Sequence, residues 1–466
     1  MELLHQIIIT LNDILWGPPM LVLLFGTHLF FTFRLRFIQR YTFKAIKMSV
    51  KPDKGSEGDV SQFAALATAL AATIGTGNIV GVSTAIALGG PGAVFWCWLT
   101  GVFGIATKYA ECLLAVKYRS KTSDGTMLGG PMYTLEKGLG KKWLAKLFCV
   151  FTLLASFGIG CTVQCHAISA SMESTFGVPA IVTGVIVAII IGFVILGGVK
   201  KIASVCEKLV PLMALFYIVG CVIILVINYQ YIFPAIGLIV KSAFTPQAAA
   251  SGFVGSTIIV AAKRGIARGL FSNESGLGSA PIAAAAAQTK NPVRQALVSM
   301  TGTFWDTVVV CAMTGIVIVS SILKNPQLAA GANADELTRM AFRQLSGAGP
   351  YILNIALIVF AFTTILGWSY YGEKSMDYLM GKRGILYYRY IFLIVLIIGA
   401  VTSLQIVWDF ADCVNALMAI PNLIGVLALS KVIVAETKKY LWENRLEEYA
   451  QEEERAIETI SITTEE

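Results

Sequence analysis

The stretch TIGTGNIVG, from Thr73 to Gly81, interrupts one of the most apolar parts of the chain. Glycine, threonine and asparagine stand there in place of the leucine or valine that a membrane helix would carry. In hydrocarbon, unwound backbone leaves N–H and C=O groups without partners, and each such group costs several kcal/mol. A break of this kind persists only where protein, water or a ligand satisfies those groups. The stretch therefore predicts a binding site at membrane depth.

The overall composition supports a membrane setting. Of 466 residues, 56% are hydrophobic and 14% are charged, and the mean hydropathy is +0.72. These values lie far from those of soluble domains, in which about 25% of residues are charged. Apolar runs of about 20 residues recur along the chain, which is the length that a helix needs to cross a bilayer. Because the runs are continuous and do not alternate, they indicate helices and not a β-barrel.

The apolar runs predict an all-α polytopic membrane protein with about eleven transmembrane helices. A short amphipathic segment at 1–14 precedes the first span. The charged tail after the last span is predicted to be a cytoplasmic helix or a partly disordered end. The predicted spans are 17–36, 61–90, 93–116, 145–172, 178–198, 205–227, 250–287, 293–323, 350–378, 386–403 and 408–432.

Basic residues in the loops predict the orientation of the spans. A stretch rich in Lys and Arg follows the first span, so we expect that stretch in the cytoplasm and the N-terminus outside. The loops then assigned to the outer side carry only Lys241, Lys324, Arg339 and Arg343. This asymmetry accounts for the formal charge of +8, so no nucleic acid is implied. We expect a multi-pass protein of the plasma (inner) membrane with a cytoplasmic C-terminus.

A second span, at 250–287, is interrupted in the same way by GLFSNESGLGSAP, from Gly269 to Pro281. When TGNIVG is aligned with NESGLG, Gly81 falls on Gly278, although the identity is weak. The two breaks lie in helices of opposite predicted direction, five spans apart, which is typical of inverted-topology repeats with a site between them. The alternative is that the glycines only allow close helix packing, but an asparagine beside two glycines suits packing poorly.

The polarity of helix ends indicates what such a site binds. The N-terminus of a half-helix presents free N–H groups to a carboxylate, and the C-terminus of a half-helix presents carbonyl groups to a cation. A small zwitterion together with Na⁺ would use both kinds of end. Ionisable residues within the spans are costly to bury, and we expect those near the second break to form an ion-pair cluster around an outer gate, with a purely structural network as the alternative. These residues are Lys263, Arg264, Arg268, Glu274 and Asp306.

Three long motifs closely resemble the alanine or glycine:cation symporter family, and the likeness covers nearly the whole chain. They are ATIGTGNIVGVSTAIALGGPGAVFWCWL, LGGPMYTLEKGLG at Leu128 to Gly140, and RGLFSNESGLGSAP at Arg268 to Pro281. The resemblance implies a sodium-coupled carrier of alanine or glycine in the APC superfamily. It implies a leucine-transporter-type core of five plus five helices after one extra N-terminal helix. Ser275 stands where the motif commonly has alanine, which bears on substrate preference.

This resemblance divides the chain into four parts. The extra helix and basic cytoplasmic segment occupy 1–56, and the two five-helix repeats occupy 57–230 and 231–432. The cytoplasmic tail occupies 433–466.

The resemblance also implies the residues that bind substrate and cation. Backbone amides at the first break would hold the substrate carboxylate, and the second break would frame its amino group and side chain. The implied substrate-binding residues are Thr76, Gly77, Asn78, Gln164, Phe271, Ser272, Asn273, Thr364 and Trp368. The implied Na⁺ ligands are Ala71, Ile74, Phe360, Thr363 and Thr364. Four of these side chains have an alternative: a helix-to-helix hydrogen bond for Gln164, bonding to the preceding turn for Thr363 and Thr364, and simple packing for Trp368.

Other functional classes suit the sequence less well. The three histidines are far apart and show no HExxH spacing, which argues against an enzyme. The nine cysteines are scattered without a CxxC pair, so neither a metal cluster nor a disulfide is expected, and no organic cofactor is implied. No repeated selectivity filter of a channel is present. We therefore expect a symporter that imports alanine, or glycine or D-alanine, by alternating access, with Na⁺ as coupling ion and the lipid bilayer as its surroundings.

Overall fold

Both interrupted spans lie in the interior of a helical bundle. The computed structural model of the protein describes residues 2–51, 53, 56–122, 125–246, 256–329, 336–402 and 404–450. A short antiparallel hairpin joins strands β1 (Ser120–Lys121) and β2 (Met127–Leu128). All other regular elements are helical.

The helices of the first half are α1 (Glu2–Leu15), α2 (Pro18–Arg34), α3 (Ile38–Ser49), α4 (Gln62–Thr73), α5 (Gly77–Gly89), α6 (Gly92–Lys117), α7 (Pro131–Tyr133, continued by a π-helical turn at Thr134–Gly138), α8 (Lys142–Phe176), α9 (Ala180–Ile195) and α10 (Gly198–Ile227). Those of the second half are α11 (Tyr229–Phe244), α12 (Ile258–Asn273), α13 (Ala280–Ala284), α14 (Pro292–Lys324), α15 (Leu337–Phe342), α16 (Gly349–Met380), α17 (Lys382–Val401), α18 (Leu404–Ala428) and α19 (Ser430–Thr437, continued by a π-helical turn at Lys438–Trp442). Short 3₁₀ turns cover Pro326–Ala329 and Arg343–Ala348.

Seven described helices are long and apolar enough to cross a membrane, and two bent pairs raise the number to nine. The bent pairs are α2 with α3, at 68°, and α4 with α5, at 50°. Each predicted span coincides with at least one helix, including the shorter α9 and the interrupted α12 and α13. Residues 250–255 of one predicted span lie outside the described residues. The total of eleven spans remains a prediction.

Helix α11 is absent from the sequence-based prediction, which treats residues 228–249 as a loop. The helix has 16 residues and contains Pro234. Its apolar run is therefore shorter than the roughly 20 residues by which a membrane span is recognised. It packs against α6 and α14.

The first break is a short extended segment between α4 and α5. Helix α4 starts at Ser61, whose hydroxyl accepts a hydrogen bond from the amide of Ala64. It ends at Thr73, after which Ile74 is extended, with φ −75° and ψ 93°. The amide of Gly75 donates to Oδ1 of Asn78 at 2.9 Å. The asparagine next to the glycines thus satisfies part of the unwound backbone, which hydrocarbon could not do.

The second break, at 274–279, depends on left-handed backbone conformations. Glu274 has φ +55°, Gly276 has φ +90° and Gly278 has φ +86°. Glycine adopts these angles without the steric cost that a Cβ would impose. The two glycines of the motif therefore allow the chain to leave α12 and re-enter a helix at Ala280.

Close packing of α12 against α6 positions the second break. A Cβ on Gly265 would come within 2.3 Å of the carbonyl oxygen of Ala93. A Cβ on Gly269 would come within 2.2 Å of Oγ1 of Thr100. Only glycine permits this approach, so α12 lies directly on α6. Helices α9, α10 and α17 instead expose many large apolar side chains, as expected of a surface that faces lipid.

The described part of the tail leaves the bundle after α19 and folds back on it. The amide of Ala450 donates to the carbonyl oxygen of Lys290 at 2.9 Å. The remainder of the tail, residues 451–466, lies outside the described residues, and with it most of the acidic stretch.

Candidate functional site

The two helix breaks meet at Gly77. A Cβ built on this glycine would lie 3.3 Å from Cδ1 of Phe271 and 3.4 Å from Cα of Ser272. The start of α5 thus touches the end of α12, and the sequence-predicted residues of both breaks come together. Helix α5 begins here, and the first amides of a helix have no acceptor within it.

Unpaired oxygen atoms surround this meeting point. The hydroxyl of Thr76 and Oε1 of Gln164 are buried and have no hydrogen-bond partner among the described residues. Gln164 donates through Nε2 to the carbonyl oxygen of Ile159 at 3.0 Å. A Cβ on Gly75 would lie 2.5 Å from Oγ1 of Thr364 and 3.5 Å from Oε1 of Gln164. Buried acceptors without donors are costly, so their convergence at the first break indicates a ligand site.

Widened helical turns contribute to the same region. Residues Gly77–Gly81 of α5, Gly158–Thr162 of α8 and Phe304–Cys311 of α14 are π-helical. Turns of this kind shift the backbone hydrogen bonds and often occur at functional sites. Gln164 follows one of these turns, and Asp306 lies within another.

Oxygen atoms on the other side of the first break could hold a cation. Oγ1 of Thr364 lies 3.4 Å from the carbonyl oxygen of Ile74 and 2.9 Å from that of Phe360. Hard cations such as Na⁺ prefer oxygen ligands. Ala71, one turn before Ile74, is fully buried on α4. Thr363 shares the carbonyl of Phe360 as acceptor, but its hydroxyl also donates to Sδ of Met213 and is not paired with Ile74.

Asn78 and Ser272 join the two breaks through a third helix. Nδ2 of Asn78 donates to Oδ1 of Asp306 at 2.7 Å, and the hydroxyl of Ser272 donates to Oδ2 at 2.9 Å. Both side chains also lie within 3.3 Å of Sγ of Cys311. The side chains of Asn78 and Ser272 are therefore engaged with α14.

Asn273 and Trp368 shape the second break. Nδ2 of Asn273 donates to Oγ1 of Thr100 at 3.4 Å, and its Oδ1 accepts the amide of Ser275 at 2.9 Å. Nε1 of Trp368 donates to Oε1 of Glu274 at 3.0 Å. These contacts hold the unwound backbone in place, which is what a pre-formed site requires.

Glu111 supports the same backbone from α6. Its Oε2 accepts the amide of Gly276 at 3.2 Å and Nδ2 of Asn422 at 2.9 Å. Nζ of Lys108 lies 3.4 Å from Oε1 of Glu111. Glu274 accepts a further hydrogen bond from the hydroxyl of Ser279. The second break is therefore anchored to both α6 and α18.

The residues of the predicted ion-pair cluster lie in separate places and do not form one cluster. Arg268 forms a two-pronged ion pair with Asp412 of α18, at 3.0 and 3.3 Å. Its guanidinium lies over the rings of Phe271 and Trp408, whose centroids are 4.8 Å apart. Glu274 and Asp306 are bound elsewhere, as described above. A cavity of about 170 Å³ is lined by Asn12, Trp16, Lys263, Arg264, Ala267, Arg268, Asp409 and Asp412.

Backbone hydrogen bonds join the segment before α4 to the segment after α13, at the end of the interrupted helices opposite Arg268 and Asp412. The amide of Asp59 donates to the carbonyl of Ala286, and the amide of Gln288 donates to that of Val60, each at 2.8 Å. Nη1 of Arg119 reaches the carbonyl of Ala287 at 2.7 Å. Burial raises the pKa of the Asp59 carboxyl, which accepts the amide of Met127. The segments before α4 and after α13 are thus tied together.

Several residues of the site were not predicted from the sequence. Asp412 and Trp408 lie near the start of α18, and Asn422 and Cys311 contact the breaks from α18 and α14. Asp412 could have been predicted as a functional residue, because an ionisable residue in an apolar span indicates function by default. The others carried none, since amides, thiols and aromatic rings are common inside helical bundles.

The whole chain is similar to known membrane transporters. The profile of the sodium:alanine symporter family matches residues 1–455. The sodium/alanine symporter AgcS of Methanococcus maripaludis is 52% identical over 438 residues, which cover 92% of this chain and 96% of that protein. An uncharacterized transporter of Haemophilus influenzae is 53% identical over 455 residues, which cover 97% and 99% of the two chains.

A solved structure supports the fold independently of close sequence similarity. The crystal structure of MhsT in complex with L-phenylalanine aligns with a TM-score of 0.57 at 15% identity, covering 88% of this chain and 99% of that one. At this identity the likeness concerns the fold alone. The profile match and the two relatives settle the family. The chain belongs to the sodium:alanine symporter family, whose members are transporters and not enzymes.

Proposed function

We propose that the protein is a sodium-coupled symporter that imports alanine, with glycine and D-alanine as further candidate substrates. The observation that carries the proposal is the contact of Gly77 with Phe271 and Ser272, where both helix breaks meet beside unpaired buried oxygen atoms. The family and the sodium/alanine symporter among its relatives support the same conclusion.

The proposed substrate site uses the two ends of the amino acid differently. The amides of Thr76 and Gly77 and the hydroxyl of Thr76 would bind the carboxylate, because a helix N-terminus favours negative charge. Oε1 of Gln164, which has no partner among the described residues, would accept a hydrogen bond from the ammonium group. Phe271 and Trp368 are large and buried, and we infer that they would limit the site to an amino acid with a small side chain.

The proposed Na⁺ site lies between the end of α4 and α16, next to the substrate site. Its ligands would be the carbonyl oxygens of Ala71, Ile74 and Phe360 with the hydroxyls of Thr364 and Thr363. A cation there would join the end of α4 to α16 and so hold the first break in the shape that binds substrate. Coupling then follows because both ligands stabilise the same arrangement of one element.

The proposed transport cycle is alternating access between two closures. Arg268 with Asp412, and Phe271 with Trp408, would form the outer closure. The pairing of Val60 with Ala287 would form the cytoplasmic closure. With this assignment, we infer that the N-terminus lies outside and the C-terminus lies in the cytoplasm of the plasma membrane. The repeats at 57–230 and 231–432 would both contribute helices to two bundles, and one bundle would rock against the other.

Proteoliposomes containing the full chain test the proposal. We expect uptake of labelled alanine when Na⁺ is higher outside, loss of uptake when K⁺ replaces Na⁺, and competition by glycine and D-alanine in proportion to their affinity. Counterflow of labelled alanine would separate a carrier from a channel. Uptake that is unchanged without a Na⁺ gradient would contradict sodium coupling, and absence of binding by all three amino acids would contradict the substrate class.

A further inference from the structure

An apolar groove lies on the side of the helical bundle, next to α4. It has a volume of about 300 Å³, and side chains of α3, α4, α10 and α14 line it. Leu66, Leu70 and Ile74, in and directly after α4, are buried in its wall. Pro211 and Leu215 of α10 also line it and are exposed, so the groove opens on a surface that we expect to face lipid.

The groove offers almost no hydrogen-bonding group to a ligand. The hydroxyl of Ser49 lines it but already donates to the carbonyl oxygen of Ile46 at 2.8 Å. Apart from the indole of Trp305, the other lining side chains are hydrocarbon. A polar molecule would lose its hydration here without gaining hydrogen bonds, whereas a hydrocarbon chain would fill the groove without this cost. The groove therefore suits an acyl chain.

Basic side chains lie next to one wall of this groove. Ile46 of α3 and Val50, just after this helix, line the groove. Lys47 and Lys51 are their neighbours in the chain and are exposed. Neither lysine takes part in an ion pair among the described residues, and both belong to the stretch that we assign to the cytoplasm. Unpaired cationic groups at a membrane surface attract anionic lipids.

Helix α3 has the character of a helix that lies at a membrane surface. It is bent by 68° from α2. Ala45 and Met48 are buried, whereas Phe43 is 72% exposed and Val50 is 69% exposed. Large exposed apolar groups among lysines are typical of helices that insert between lipid headgroups. One end of the groove is therefore expected at the level where headgroups and acyl chains meet.

We propose that the groove holds one acyl chain of an anionic phospholipid from the cytoplasmic leaflet, with the phosphate of the lipid bound by Lys47 and Lys51. The inference rests on the proposed transport cycle and goes beyond it, because it adds a regulatory lipid to the transporter. The acyl chain would contact α4 and α10 together. It would therefore stabilise the state in which these two helices are packed against each other.

The groove and the proposed Na⁺ site share one residue. Ile74 lines the groove, and its carbonyl oxygen lies 3.4 Å from Oγ1 of Thr364, a proposed Na⁺ ligand. A lipid that holds α4 against α10 also holds this carbonyl in place. Lipid and Na⁺ would thus stabilise the same arrangement, and each would strengthen the binding of the other.

The effect of lipid charge on Na⁺ affinity tests the inference. The full chain is placed in nanodiscs of phosphatidylcholine, with or without phosphatidylglycerol of the same acyl chains, and alanine binding is measured against Na⁺ concentration. We expect the Na⁺ concentration for half-maximal binding to be about fivefold lower with phosphatidylglycerol. Mass spectrometry of the intact purified protein should show one phosphatidylglycerol retained per chain, in preference to phosphatidylcholine.

Filling the groove should remove both effects. Ala214 of α10 lines the groove, and Ala214→Phe would place a ring where the acyl chain is proposed to lie. Val222→Phe is the matched control, because Val222 is 44% exposed on the same helix and does not line the groove. The control should keep the lipid dependence and the retained lipid. Should Ala214→Phe fail to fold, the smaller Ala214→Leu should still reduce both effects.

Removing the charges tests the headgroup contact. Lys47→Gln combined with Lys51→Gln should abolish the preference for phosphatidylglycerol. Lys141→Gln combined with Lys146→Gln removes two exposed charges near the start of α8, away from the groove, and should leave the preference unchanged.

Equal Na⁺ affinity in the two lipids for the unmodified protein would overturn the coupling of lipid to Na⁺. A lipid effect that survives Ala214→Phe would overturn the groove as its location. One that survives the loss of Lys47 and Lys51 would overturn the headgroup contact. Failure of the proposed function is a separate outcome, since it would appear as the absence of alanine binding in both lipids, and lipid retention would still test the groove.

Discussion

Gly77 lies at a contact between the two breaks, and its backbone is the surface that a substrate carboxylate would meet in the proposed site. A Cβ there would already touch Phe271 and Ser272, so a larger side chain would fill the space between the helices. We expect Gly77→Leu to abolish measurable alanine binding while the protein still folds and inserts. Isothermal titration of the purified variant, with size-exclusion chromatography as a check of folding, measures this.

Gly81 offers a matched control in the same widened turn. A Cβ on Gly81 would approach only Cδ of Arg268, at 3.9 Å, which is an ordinary contact. Gly81→Ala should therefore bind alanine nearly as well as the unmodified protein. Equal loss of binding in both variants would mean that the turn tolerates no side chain at all, and the carboxylate site at Gly77 would lose its support.

The two adjacent threonines of α16 differ in what they face. Thr364 is directed at the carbonyl of Ile74, whereas Thr363 is directed at Met213. Replacing Thr364 with valine removes a proposed cation ligand without changing the shape, so we expect the Na⁺ concentration for half-maximal uptake to rise about tenfold. Thr363→Val should change it less, because the Thr363 hydroxyl also donates to Met213 and is the weaker of the two proposed hydroxyl ligands. A larger effect at Thr363 would show that Thr363, and not Thr364, supplies the main hydroxyl ligand.

At the scale of elements, the guanidinium of Arg268 joins α12 to α18, and we propose that this contact is the outer gate. Asp412→Asn keeps the shape of the side chain but removes the charge that Arg268 binds in two places. We expect the maximal rate of uptake to fall about tenfold, with a smaller change in alanine affinity, because the outer closure is weakened and the substrate site is not. Initial rates in proteoliposomes and equilibrium binding measure the two quantities.

Lys263 provides the comparison for this gate. It lines the same cavity, and no ion pair with it occurs among the described residues. Lys263→Gln should therefore leave the rate of uptake nearly unchanged, although it changes the charge of the cavity by as much as Asp412→Asn does, in the opposite direction. Equal slowing by both variants would show that any change in the polar side chains of this cavity slows uptake, and the specific role of the Arg268–Asp412 pair would lose its support.

The sequence allowed both breaks to be predicted because glycine, asparagine and serine inside an apolar run report directly on backbone that cannot stay helical. The partners of those residues could not be predicted in the same way. Asn78 and Asp306 are 228 positions apart, and Arg268 and Asp412 are 144 apart. Such contacts depend on how α14 and α18 pack against the breaks. Helix α11 was missed because its apolar run is short.

At the scale of the whole molecule, the tail binds the end of the helical bundle that we assign to the cytoplasm. Arg294 binds Asp53 and Glu447 through different nitrogens, each at 2.6 Å, and Lys290 binds Glu447 at 2.8 Å. Nδ2 of Asn291 donates to the backbone carbonyl of Leu446. The segment before α4, the start of α14 and the tail are therefore linked beside the backbone pairing that closes this end.

Glu447→Gln should loosen this linkage. The hydrogen bonds from Lys290 and Arg294 lower the pKa of the Glu447 carboxyl, so its contribution is present at neutral pH and is lost as pH falls through the lowered pKa. We expect faster hydrogen–deuterium exchange of residues 284–292 in the variant at neutral pH, and little difference from the unmodified protein in strong acid. Mass spectrometry of peptides covering that segment measures it.

Glu448→Gln is the control for the tail. Glu448 pairs with Arg445 inside the tail and does not reach α14 through its carboxylate. Its replacement should leave exchange of residues 284–292 unchanged. Equal acceleration in both variants would show that net charge of the tail, and not the contact of Glu447, controls the stability of this end.

The contact between the rings of Phe271 and Trp408 provides the proposed outer gate with an optical reporter. Trp408 is one of eight tryptophans, and the guanidinium of Arg268 lies 4.9 Å from its ring centroid. Separation of α12 from α18 would remove that cation from the indole and admit water to it, which changes the emission spectrum of the ring. Rapid-mixing fluorescence of a variant that keeps Trp408 and the buried Trp368 and replaces the other six tryptophans could therefore follow gate opening in real time, without any attached dye.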